Sequence, residues 1–163
     1  MEGTPCERKA STMTLDQQVR PDQHTGPDPA DAYYGGVFGW SVRRQGARLF
    51  LALENGLCAV TLPKLTSGPV RHHLSALGCE GPSLILPTQH GPRLAILAET
   101  DGELLLRGSL PADVTVLDSG ALLPLPTGQQ APGLGPEWLT APDPRHRWLP
   151  SVSAVLAGVR QRP

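Results

Sequence analysis

Lysine is almost missing: Lys9 and Lys64 are the only two in 163 residues, and arginine supplies the other twelve of fourteen cations. Aromatic residues make up 4% and cysteines number three. No apolar run approaches the roughly 18 residues that a membrane span needs, so no membrane partner is expected. The N-terminus lacks a charged region followed by an apolar core, which argues against a secretory signal. There is no glycine triplet period, which excludes collagen, and prolines recur too often for a long coiled coil. A net charge of −1 lacks the cationic excess of most nucleic-acid binders. Cys6, Cys58 and Cys79 are odd in number and widely spaced, so neither a disulfide framework nor a C-x-x-C site is expected. The compartment implied is reducing, hence cytoplasmic.

Glycine and proline, 18 each, punctuate a chain whose apolar content lies in short Leu, Val and Ala runs. Charge is unevenly spread. Residues 1–32 carry six acids against three bases, and residues 143–163 carry four arginines against Asp143. An Arg-, Ala-, Gly- and Pro-rich, Lys-poor composition is typical of GC-rich bacterial genomes.

Residues 1–32 read as a disordered tail, because the stretch from Arg20 to Pro29 has no apolar periodicity to offset its ordering entropy. Residues 33–163 read as one domain. Strands are expected at Val37–Val42, Arg48–Leu53 and Leu57–Leu62, the last two joined as a hairpin by Asn55-Gly56. A helix should follow, capped by Ser67 and ended by Gly78, with Val70, His73, Leu74 and Leu77 in one stripe. Further strands are expected at Ser83–Leu86, Arg93–Ala98, Glu103–Arg107, Val114–Leu117 and Ala121–Leu125. Asp101-Gly102 makes a second hairpin plausible, and a helix is the alternative for 103–110. Residues 126–136 form a loop, and a helix starts near Ser151, with Val152, Val155, Leu156 and Val159 on one face. The fold class expected is α+β, a mainly antiparallel (mixed) sheet with packed helices.

Catalytic signals are sparse. There is no G-x-S-x-G elbow and no phosphate-cradling glycine loop. Cys58 sits in an apolar run and reads as a small buried hydrophobe rather than a nucleophile. Adjacent His72 and His73 diverge by about 100° on a helix and miss the i, i+4 zinc spacing. Asp113 and Asp118 fall at opposite ends of a strand, and Asp101 and Glu103 bracket a turn. No catalytic residue, metal or cofactor is therefore expected. Arg145-His146-Arg147-Trp148 is richer: cations beside an aromatic ring can hold phosphates and stack a base, and Arg160 and Arg162 would extend the positive face. The competing reading has Trp138 and Trp148 pin this segment to the sheet while Arg145 and Arg147 pair with Asp143 or a helix C-terminus.

The segment Gly135-Pro136-Glu137-Trp138-Leu139-Thr140-Ala141-Pro142-Asp143-Pro144-Arg145-His146-Arg147-Trp148-Leu149-Pro150 resembles the C-terminal signature of small actinobacterial bifunctional DNA primase/polymerase-like proteins. Phe38-Gly39-Trp40-Ser41-Val42, Leu57–Pro63, Leu77-Gly78 with Gly81-Pro82, and Gly91-Pro92-Arg93 resemble further pieces of that family in order. The resemblance implies a truncated primase/RRM-like fold of the archaeo-eukaryotic primase superfamily. It also implies metal-gripping carboxylates, which hard divalent cations require, but the equivalent positions here are Cys58 and Thr61. The resemblance also implies a phosphate-contacting histidine near the Gly-Arg turn; here no histidine follows Arg93, although His90 stands just before Gly91. The Cys- and His-bearing insertion of some relatives is also missing.

The leading expectation is thus a catalytically degenerate primase/polymerase-like domain, used as a binding or regulatory module. Its partner would be single-stranded nucleic acid or an acidic protein. The alternatives are a replication component active only with a partner subunit, and a structural protein–protein interaction module.

Overall fold

A computed structural model describes residues 29–102, 109–128 and 130–162. Of the tail expected at 1–32, residues 1–28 fall outside the described residues, while 29–32 belong to a helix and not to a disordered segment. The segment expected as a strand or helix at 103–107 also falls outside the described residues.

The chain enters through helix α1 (Pro29–Phe38). Ala30, Tyr34 and Phe38 recur every four residues and pack on the core. This corrects the strand expected at Val37–Val42. The Gly35-Gly36 pair lowers helix propensity and hides the helix in the sequence. Gly39 ends it at a φ of 70°, with the Trp40 amide donating back to Tyr34 O at 3.2 Å.

Strands β1 (Val42–Gln45), β2 (Arg48–Ala52) and β7 (Leu122–Leu125) form an antiparallel three-stranded sheet in the order β1-β2-β7. Strands β3 (Leu57–Pro63), β4 (Ser83–Leu86), β5 (Arg93–Glu99), β6 (Thr115–Leu117) and β8 (Glu137–Thr140) form a second antiparallel sheet, ordered β6-β3-β5-β4-β8. Helices α2 (Gly68–Ala76) and α3 (Val152–Arg160) complete an α+β fold whose sheets are antiparallel.

The expected β2–β3 hairpin is not one. The Asn55-Gly56 turn forms, with φ of 55° and 85°, but β2 pairs with β1 and β7 while β3 pairs with β5 and β6. The turn carries the chain from one sheet to the other.

Side-chain alternation along β3 and β5 explains why both read as unbroken apolar runs. Cys58, Val60 and Leu62 of β3, with Leu94, Ile96 and Ala98 of β5, face α2 and α3. Leu57, Ala59, Ala95 and Leu97 face the other way, onto Leu49, Leu51, Leu53, Leu123 and Leu125 of the three-stranded layer. The order of layers is helices, five-stranded sheet, three-stranded sheet.

In α2, Val70 and Leu74 are buried, but Leu77 lies past the helix end and is 57% exposed, so the expected stripe is shorter by one residue. Ser67 occupies the start of α2, yet its hydroxyl donates to Lys64 O at 2.7 Å instead of capping the helix. Ser151 does cap α3, its Oγ accepting from the Ala154 amide at 3.2 Å. The Asp101 carboxylate adds to this, accepting from the Ser153 amide at 3.3 Å. A negative group suits the first turn of a helix, and hydrogen bonding, from the Ser153 hydroxyl foremost and then from the Asp101 and Ser153 amides, holds the Asp101 carboxyl below the usual carboxylate range.

Candidate functional site

Cys58 and Thr61 stand three residues apart on β3, which places them on opposite faces of the strand. Cys58 is fully buried against the helices, its thiol donating to Ala98 O at 3.3 Å. Burial, then the charges of Asp101, Asp118 and Glu99, pushes this thiol up to about 11, far from thiolate chemistry at neutral pH. Thr61 is drawn into a different network. Its Oγ1 donates to Thr115 O at 3.4 Å, and Arg93 Nη2 donates to Thr61 O, Thr61 Oγ1 and Asp113 O at 3.1, 3.2 and 2.8 Å.

Arg93 and Thr61 are therefore brought together, while Cys58 is kept apart from both. His90 lies in the exposed turn before β5, its amide donating to Thr88 Oγ1 at 3.3 Å. Among the described residues, no three His, Cys, Asp or Glu side chains come close enough to hold a metal ion.

Arg145, His146, Arg147 and Trp148 share one loop between β8 and α3. Its ends are tied down by buried Pro142 and Pro150, and everything from Asp143 to Trp148 is exposed. Pro150 seats where only Gly81 leaves room: a Cβ on Gly81 would run into the proline ring. Inside the loop Asp143 builds the turn. Its Oδ1 accepts from the Arg145 amide at 2.8 Å, its Oδ2 lies 3.1 Å from His146 Nδ1, and its carbonyl accepts from the His146 amide at 3.0 Å. The Arg145 amide, then the His146 ring, hold the Asp143 carboxyl below its ordinary range. Arg147 Nε donates to Pro144 O at 3.1 Å.

Trp148 is 79% exposed. The pinning role read for both tryptophans thus belongs to Trp138 alone, whose indole N–H donates to Tyr34 Oη at 3.2 Å. Trp148 instead lines a groove of about 380 Å3 with His146, Leu149 and Pro150, closed by Ser75 of α2 and by Gly78, Cys79 and Glu80 just after that helix. The Trp148 indole therefore stands in water on a loop held at both ends.

Arg160 and Arg162 do not extend this surface. The loop precedes the N-terminus of α3 and these two residues lie at the C-terminus, separated by a nine-residue helix that spans roughly 13 Å. Arg162 is also occupied. Its Nη1 and Nη2 donate to the two Asp113 oxygens at 3.0 Å each, Nη1 reaches Thr66 Oγ1 at 3.0 Å, and Nε reaches Val159 O at 3.3 Å. The Arg162 guanidinium beside it holds the Asp113 carboxyl below the usual range. No sequence signal joins these partners, which stand 49 residues apart.

Neither a family model, nor a curated protein, nor a solved structure matches this chain.

Proposed function

We propose that this chain is a binding module of primase/polymerase-like descent, and that it takes single-stranded nucleic acid on the Asp143–Trp148 loop. The observation that carries the reading is the exposed Trp148 beside Arg145 and Arg147 on a loop anchored by two buried prolines. A base stacks on the indole, and the flanking phosphates meet the two guanidinium groups. Such stacking contributes about 1–3 kcal/mol per base and tolerates any sequence. The anchoring lowers the ordering cost of binding, because the Asp143 turn exists before the ligand arrives.

The β3 positions support a non-catalytic role. A thiol and a hydroxyl replace the carboxylates that the family resemblance equates with them, and they point away from each other. Arg93, the remaining family-like residue, spends its guanidinium on Thr61 and Asp113.

Anisotropy of a labelled oligothymidine tests the reading. The wild-type chain binds at low salt, Arg145→Ala/Arg147→Ala binds at least about tenfold more weakly, and Arg160→Ala binds as wild type. Equal binding by the double variant contradicts the reading. Primer extension with Mn2+ by the pure chain is expected to yield no product, and robust synthesis would contradict the non-catalytic role.

A further inference from the structure

A second groove, of about 600 Å3, opens between the turn after β3, the start of α2 and the end of α3. Leu65, Pro69, Pro111 and Val159 make its apolar wall. Leu65 is 93% exposed, so a leucine stands in water at the lip. Arg162 is neutralised by Asp113 and braced on Thr66, and it lends the groove a fixed shape rather than free charge. Arg160 lines the groove, and Lys64 directly precedes Leu65. Both are exposed, and neither enters an ion pair among the described residues. The first turn of α2 carries no acid.

We propose that this groove docks an acidic segment of a partner protein. Aliphatic side chains of the segment pack on Leu65, Pro69, Pro111 and Val159, and its carboxylates meet Lys64 and Arg160. This goes beyond the nucleic-acid reading and uses none of its residues.

The chemistry of the rim selects the occupant. A second copy of the chain would set the same patch against itself across a two-fold axis, bringing cation to cation. A nucleic acid finds no aromatic ring in the wall to stack on. An amphipathic acidic segment satisfies both the wall and the rim, and the volume falls within the roughly 300–1,000 Å3 of ordinary ligand sites.

The test is anisotropy of a labelled peptide composed of Asp, Glu and Leu, titrated with the full chain at low salt. The peptide binds; Leu65→Ser and Arg160→Glu each weaken it about tenfold or more, and Trp148→Ala leaves it unchanged. Neither substitution removes a buried side chain, and unchanged urea midpoints confirm that both variants fold. Absence of binding, or binding that survives both substitutions, overturns the proposal. So does a dimer abolished by Leu65→Ser, which assigns the groove to a second copy. Loss of oligothymidine binding in Arg160→Glu likewise overturns it, by assigning the face to nucleic acid.

Discussion

The Arg162 guanidinium is held from three sides, by Asp113, Thr66 and the Val159 carbonyl, with only 11% of its side chain exposed. It ties the end of α3 to the segment before β6. Asp113 is 42% exposed, and solvent screening reduces the pair's worth, so Arg162→Ala is expected to cost about 1 kcal/mol in urea denaturation at neutral pH. Asp113 has a lowered carboxyl in the folded state. Its contribution is present above the unfolded-state range, around pH 4, and is lost as pH falls through the lower folded value. The difference between wild type and Arg162→Ala should therefore shrink below about pH 4. A difference that persists in acid would assign the cost to packing. Cys58 offers a second check. Buried, and with its thiol pushed up to about 11, it should escape alkylation until denaturant is added, while half-buried Cys79 reacts; peptide mapping distinguishes the two. The sequence marked Cys58 as buried because its neighbours are apolar. It read Asp113 as a turn acid, because the arginine that claims it is distant in the chain.

At the scale of elements, close approach matters more than propensity. Gly81 and Pro150 hold the Trp148 loop against the sheet, and Gly81→Ala places a methyl group into a rigid ring. That substitution should cost about 1–3 kcal/mol and should weaken oligothymidine binding as well, although residue 81 touches no ligand. Wild-type stability and binding would show that the loop adjusts freely. Strands with strong apolar patterns were legible: β4 stands where expected, and β5, β6, β7 and both later helices deviate by a residue or two. Failures came where local signals conflict with tertiary packing. A glycine pair disguised α1, whose stability comes from Tyr34 and Phe38 meeting the core. The chemistry of Asn55-Gly56 specifies the turn, but which strands pair across it is decided by the two buried faces of β3. Strand β8 sits at a sheet edge beside prolines and carries little periodicity of its own.

Across the whole molecule, the middle sheet is covered on both faces, and this determines what the candidate site can do. Cys58 lies on the helical side of β3 and Thr61 on the other, so placing acids at both positions would bury two separated charges. Cys58→Asp/Thr61→Glu is expected to lose several kcal/mol and to gain no Mn2+-dependent stabilisation in thermal denaturation. A metal-dependent rise in the melting temperature would contradict the opposed placement. With the sheet interior closed to ligands, the surface remains, and the candidate cations there divide into two groups. Arg145 and Arg147 lie beside Trp148 on the loop before α3, whereas Arg160 and Arg162 stand at the far end of that helix. The sequence showed which residues were cationic but could not show that a helix separates them.

Titration with oligothymidine, followed by tryptophan emission across a range of salt, probes the Trp148 loop itself. Emission should be quenched in the wild-type chain but not in Trp148→Ala, with a logarithmic salt slope of about −1.4, from two phosphates at about −0.7 each on single strands. No binding at low salt, or quenching that survives Trp148→Ala, would rule out nucleic-acid binding on this loop.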